Sequence, residues 1–431
     1  MFSIYFINNI LDIRNIKAAE KFLAPGYDDF FKNKGVLNMK EWYKKKWILI
    51  VGLVCMFIVS GCGIDQSNSN AKEESGAKNS DEIKIGVIIA ETGPASTLGS
   101  SQANTVKLLQ KQLDEAGPID GKKIKIIKHD YETDDTKAVV AMEKLISENV
   151  VAVVGATQSS TSMAIMPKAI ENKMPLMTVA PIESDSEYVY SMSHSTDIIA
   201  TPIVAYLKKN QISKVGWINA SDGFGVTGLP AFEKLAKENN IEIVAHEEFD
   251  ATATDMTIQL TKIREAKPEA VIVWSRTPAA GVVARNFKSL DFDIPMIQST
   301  AAANQGFLDQ VKDDNENVMV IGSKLSVVDQ LEESKQKEEL LAFRDAYADE
   351  FSGGEPDLFA AHLLDGMNVV IEAIKAGNTT SEDIQNYLQK DLGEYLGITG
   401  TFHFAETQAS PEADGISVLS IEKNKWKYNG E

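Results

Sequence analysis

From residue 83 onward, short runs rich in β-branched residues alternate with longer stretches whose apolar residues recur at helical spacing. A strand that is apolar throughout must be covered on both faces, and the helix that follows it is what covers it. The alternation therefore predicts a largely parallel sheet in an α/β fold. Strands are expected at 83–89, 124–128, 151–155, 176–180, 214–218, 241–245, 270–274 and 317–322. Val106, Leu109 and Leu113 mark one intervening helix, and Val139, Met142 and Leu145 or Ile146 another. The units fall into two blocks, 83–180 and 214–322, each holding a full run of β-α units, which predicts two similar lobes without an evident sequence repeat. Helices at 335–351, 357–376 and 381–392 should follow, then a late β pair at 400–404 and 415–421.

Within the first block, Val151-Ala152-Val153-Val154-Gly155 runs directly into Ala156-Thr157-Gln158-Ser159-Ser160-Thr161-Ser162. A buried strand that ends on glycine and turns at once into a helix puts free N–H groups and the positive end of the helix dipole beyond the sheet's carboxyl edge. Hydroxyls at 159–161 could add donors, so the turn suits a small anion such as a carboxylate; simple helix capping explains the same residues. The loop Glu91 to Gly99 follows the first strand and should lie beside this turn.

Gly223-Phe224-Gly225-Val226-Thr227-Gly228 matches the spacing of a dinucleotide loop, with Asp250 about twenty residues further on. Four residues separate it from the preceding strand and the unit is mid-chain, so Phe224 reads better as an apolar wall of a cleft. No phosphate-binding lysine loop, nucleophile elbow or zinc-protease helix is present, and His129, His194, His246, His362 and His403 lack metal spacing and read as structural. Neither a metal nor a cofactor is expected. The net charge of −19 argues against a nucleic-acid partner. Both cysteines, Cys55 and Cys62, precede the globular part, which can hold neither a disulfide nor a thiolate metal site.

Residues 1–38 show no sustained period and read as a spurious upstream extension; Met39 begins a second start. Residues 39–61 carry Lys40, Lys44, Lys45 and Lys46 ahead of an apolar run, Trp47 to Val59, too short to span a bilayer. The run closes on Val59-Ser60-Gly61-Cys62, which resembles the bacterial lipoprotein box; that resemblance implies a lipidated Cys62 on the extracytoplasmic face of the membrane. Residues 62–81, rich in Ser, Asn, Lys and Glu, read as a flexible tether.

Taken in order, Gly93-Pro94 with Gly99, Asp130-Tyr131-Glu132-Thr133-Asp134, the 151–155 strand with Ser159, Gly223-Phe224-Gly225, and Gly397-Ile398-Thr399-Gly400-Thr401-Phe402-His403-Phe404 resemble the branched-chain amino-acid-binding receptors of ABC transporters, the type I periplasmic binding proteins. The resemblance covers nearly everything from residue 83. It implies two Rossmann-like lobes, of residues 82–195 with 326–397 and 196–325 with 398–431. Three crossovers should join them near 195–199, 322–326 and 396–400, with a ligand cleft between. It further implies that Ser159 binds the ligand carboxylate, with Thr157 and Gln158 beside it. Ala180, Glu183 and Ser184 should add contacts from the first lobe, and Leu98, Phe224 and Phe359 should form walls.

Relatives that hold an α-amino acid place an acid where this chain reads Gln298-Ser299-Thr300-Ala301-Ala302-Ala303. A buried ammonium without a partner is costly, so either Asp222 or Glu183 replaces that acid or the ligand lacks the amine. Arg276 could pair with a second carboxylate or stack on a ring. The expectation is a monomeric receptor that delivers a small carboxylate to a membrane permease and makes no bond. A nucleotide-dependent oxidoreductase and a sensory ectodomain are the alternatives; the latter should continue into a membrane helix, where this sequence carries Lys423, Lys425 and Lys427 before Glu431.

Overall fold

The computed structural model describes residues 82–312, 317–404 and 410–430. Cys62, the apolar run before it and the tether lie outside the described residues. Among those described, no helix is long and apolar enough to cross a membrane.

The chain opens with β1 (Glu82–Ile89), α1 (Ser96–Ala116), β2 (Lys123–Asp130), α2 (Asp135–Ser147), β3 (Ala152–Gly155), α3 (Ser159–Glu171), β4 (Leu176–Thr178) and β5 (Val189–Ser191). The five strands form one parallel sheet in the order β2-β1-β3-β4-β5. Alternation along β1 shows why the sheet needs two covers. Ile83, Ile85, Val87 and Ile89 face a core that includes Leu108 and Leu109 of α1, whereas Ile88 faces Met142 and Leu145 of α2. Each such fully buried aliphatic side chain contributes about 1.5–3 kcal/mol of transfer free energy.

After β5 the chain builds a second sheet. It passes through α4 (Thr196–Lys209), β6 (Lys214–Ala220), α5 (Gly225–Glu238), β7 (Glu242–Phe249), α6 (Thr257–Glu265), β8 (Ala270–Trp274), α7 (Ala279–Ser289), β9 (Met296–Gln298), α8 (Gln305–Val311) and β10 (Val318–Ser323). Its parallel part runs β7-β6-β8-β9-β10, the same order as the first sheet, so the two lobes repeat one topology.

The chain then returns to the first lobe with α9 (Lys335–Glu350), α10 (Leu358–Lys375), α11 (Ser381–Lys390), β11 (Glu394–Leu396) and β12 (Thr401–His403), and ends in the second sheet with β13 (Ile416–Glu422) and β14 (Lys425–Tyr428). α10 is buried nearly all round, as its run of apolar residues requires. Asp357 caps its start, accepting from Phe359 N and Ala360 N at 3.0 Å each.

Three expectations change here. The segments at 400–404 and 415–421 are strands but not a pair: β12 pairs with β11, while β13 runs antiparallel to β10 and carries β14. The third crossover comes later than 396–400, because Ile398, Phe402 and Phe404 lie in the first lobe's core with Tyr190. Short strands β5, β9, β11 and β14 were not expected at all. A buried carboxylate secures the return, since Asp365 of α10 accepts from Ile398 N at 2.8 Å, Thr399 N at 2.9 Å and Thr399 Oγ1 at 2.6 Å.

Candidate functional site

In a sheet of order 2-1-3-4-5, successive crossovers leave β1 and β3 in opposite directions, opening a crevice past their carboxyl ends. The first lobe builds that crevice tightly. Gly155 has φ +142°, and a Cβ there would strike the carbonyl oxygen of Ile88, so strand and turn can only approach through glycine. Thr157 Oγ1 accepts from Ala90 N at 2.9 Å and donates to Gln102 at 2.7 Å, tying the two loops together. Its hydroxyl is thus committed to the scaffold. Gln158 accepts from the Tyr131 hydroxyl at 3.3 Å, a phenol that burial pushes up to about 12.

The start of α3 is left open. Asp134 caps α2 and Ser195 caps α4 through side-chain oxygens, but Gln158 supplies none to α3. The first intrahelical bond there runs from Ser162 N to Gln158 O, so the N–H groups ahead of it find no acceptor within the helix. Ser159, only 4% exposed, has an Oγ with no hydrogen-bond partner among the described residues. Capping therefore does not account for this serine.

The second lobe repeats the crevice between β6 and β8 with other chemistry. Asp222 accepts from Gly225 N at 2.8 Å, capping α5, and from Arg276 Nε at 2.8 Å. The helix start that is open in one lobe is filled in the other, and the two charges neutralise each other. Phe224 stacks on Trp274 with ring centroids 5.5 Å apart, and Trp274 on Trp217 at 5.6 Å. The Trp274 ring occupies the space where a Cβ on Gly228 would stand. Gly225 and Gly228 serve helix-on-strand packing, against Ala220 O and the Trp274 ring.

The two crevices face each other across a cleft of about 560 Å³, counted out to its mouth. From the first lobe it takes Leu98, Thr157, Gln158, Ser159, Ala180 and Phe359, and from the second Asp222, Phe224, Arg276 and Thr300, all expected from the sequence. The lobes meet closely: a Cβ on Gly223 would sit 3.3 Å from Ser160 N. Glu183 and Ser184 are corrections. Glu183 is exposed and outside the cleft, and Ser184 accepts from Ser186 N at 3.1 Å within its own loop. Of the two acids offered for an ammonium, Asp222 is already engaged by Arg276 and Gly225, and Glu183 lies outside the cleft.

Sequence reasoning missed Ser193, His194 and His362, which also line the cleft. The two imidazoles stand 5.9 Å apart between centroids. Burial pushes His194 down to about 4 and His362 well below its ordinary value, so both are neutral. A histidine set in the otherwise apolar run Leu358 to Leu364 is the signal that could have found one of them.

Residues 82–423 match the family model described as periplasmic binding protein. The chain is 20% identical over 363 residues to Leu/Ile/Val-binding protein homolog 1 of Brucella abortus (strain 2308), covering 81% of this chain and 93% of that one. It is 22% identical over 232 residues to Leu/Ile/Val-binding protein BraC3 of Rhizobium johnstonii, covering 52% of this chain but only 63% of that relative, short of two thirds of its length. Among solved structures, an extracellular ligand-binding receptor from Rhodopseudomonas palustris HaA2 is 27% identical with a TM-score of 0.74, covering 81% of this chain and 99% of that one. The branched-chain amino acid transporter substrate-binding protein LivJ of Streptococcus pneumoniae, solved with isoleucine, shares the fold at 24% identity and a TM-score of 0.72, covering 80% of this chain and 98% of that one.

Proposed function

Since the chain belongs to the periplasmic binding protein family, we propose that it is a solute receptor that closes two lobes over a small carboxylate and delivers it to an ABC-type permease. The observation that carries this reading is the buried, unpartnered Ser159 Oγ at the uncapped start of α3. A carboxylate there gains hydrogen bonds to the hydroxyl and free N–H groups and the favourable end of the helix dipole. Contacts to both lobes make the ligand stabilise the closed form, a hinge motion that the permease can sense. In this reading the protein acts as a monomer, held on the extracytoplasmic face of a bacterial membrane through lipid on Cys62, and no bond is made or broken.

Two ligand versions follow. The names of the relatives favour a branched-chain amino acid. The engagement of Asp222 with Arg276 favours a carboxylate that lacks the α-amine, because an ammonium would meet no free carboxylate at the two positions offered for it. The terminal nitrogens of Arg276 would then serve the ligand or its ring.

A thermal-shift panel of amino acids, aliphatic acids, aromatic acids and amides tests the reading. A true ligand at about a hundred times its dissociation constant adds roughly 2.7 kcal/mol of stability. Ser159→Ala should weaken the best ligand about ten-fold, as expected for a lost hydrogen bond to a charged group. Equal affinity of parent and variant by calorimetry would take Ser159 out of the site.

A further inference from the structure

Five polar atoms in the cleft have no hydrogen-bond partner among the described residues: Ser193 Oγ and both ring nitrogens of His194 and of His362. Their residues are 1%, 1% and 4% exposed, and all three line the cleft. The carbonyls of Thr399 and Glu412 stand near enough to His194 to favour its charged form, yet neither completes a hydrogen bond. Nothing of that kind stands near His362, whose ring meets Phe359 edge-on at 6.3 Å between centroids. Buried polar groups are nearly always paired, so such a concentration asks for a partner that the described residues do not supply.

We propose that this cluster recognises a hydroxyl or carboxamide at the end of the ligand remote from its carboxylate. This rests on the carboxylate reading above and names what the other end must be. A neutral imidazole presents one N–H and one bare nitrogen, and a serine hydroxyl both donates and accepts. The cluster thus offers donors and acceptors together. A second carboxylate, which only accepts, leaves the bare nitrogens unmet, and an ammonium, which only donates, leaves the N–H groups unmet. A hydroxyl or carboxamide does both. The lining of the cleft also includes apolar groups such as Leu98, Ile199, Phe224 and Phe359. The ligand that fits is a small acid with an apolar middle and a neutral, hydrogen-bonding tail. A purely aliphatic side chain would leave the five atoms dry and unpaired, or keep them on trapped water.

Titration calorimetry on the full protein with matched probes tests this: leucine against glutamine, isocaproate against glutaramate, and phenylacetate against para-hydroxyphenylacetate. The members of a pair share the carboxylate and differ in size by one heavy atom, and the first two pairs differ from each other only in the α-amine. In at least one pair the polar-tailed member should bind about ten-fold tighter or more. His362→Leu, which keeps the volume and removes both nitrogens, should erase that preference. Ser193→Ala should reduce the preference in part. The ratio within a pair cancels any effect on folding, and the variant that loses an orphaned polar group should melt no lower than the parent when empty. If apolar-tailed members bind as tightly as polar-tailed ones, or His362→Leu keeps the preference, the inference fails while the carboxylate site stands. If no acid of the wider panel binds, the carboxylate reading fails and takes this inference with it.

Discussion

Asp365→Ala should lower the unfolding free energy by about 3–5 kcal/mol in a urea titration. The side chain lies fully buried in α10 and accepts three hydrogen bonds from Ile398 and Thr399, themselves 7% and 0% exposed. Deleting it leaves three donors with no water to turn to, and each orphaned buried donor costs about 1–3 kcal/mol. Asp357 makes a useful contrast. It accepts from Phe359 N and Ala360 N at 3.0 Å and from Ser101 Oγ at 2.6 Å, but its N–H partners lie in the first turn of its own helix rather than in a returning segment of chain. Asp357→Ala should therefore cost only about 1 kcal/mol, as lost caps do. Equal losses in the two variants would mean that Asp365 is not what secures the returning chain.

The second large effect appears on acidification. Burial holds Asp357 and Asp365 up at about 6, above their ordinary 3.8, so between those values the folded protein keeps protons that the unfolded chain has lost. These groups make folding more favourable as pH falls. His194 works the other way: burial holds it down at about 4, so below its ordinary 6.5 the unfolded chain takes up a proton that the folded state refuses. It makes folding less favourable as pH falls, and His362 acts in the same sense. The two pairs oppose each other over nearly the same window. His194→Leu removes one opponent, so relative to the parent the variant should gain about 3 kcal/mol between about pH 7 and pH 4. Parallel stability curves for parent and variant across that range would show that the folded protein protonates His194 freely.

How far the sequence could be read depended on whether a feature is local. Ala270–Trp274 and Ala152–Gly155 announce themselves as short runs of small and branched apolar residues, and the structure has strands there. Val189–Ser191 and Met296–Gln298 are three residues long, and what makes them strands is the neighbours they pair with. The segment around Phe402 and the strand Ile416–Glu422 are apolar in like fashion, and nothing in that likeness tells which sheet each joins. The turn at Ser159 was legible because a strand's end and a helix's start adjoin in sequence. Asp222 was not: it reads as an acid available for a ligand until Arg276, 54 positions on, folds back against it. The histidines were missed for the same reason, since burial and lack of partners are properties of the assembled cleft.

The interleaving of the two lobes along the chain also sets a timetable. The face of the first sheet that carries Ile83, Ile85 and Val87 is closed by α10, which begins at residue 358, whereas β5 ends at residue 191. At roughly 5–20 residues per second, the intervening stretch of about 170 residues takes on the order of ten to thirty seconds to synthesise. Through that interval this side of the first sheet is covered by α1 but not by α10, and its core stays incomplete. A chain proposed to work on the extracytoplasmic face of a membrane thus carries its own delay, written in the order of its elements.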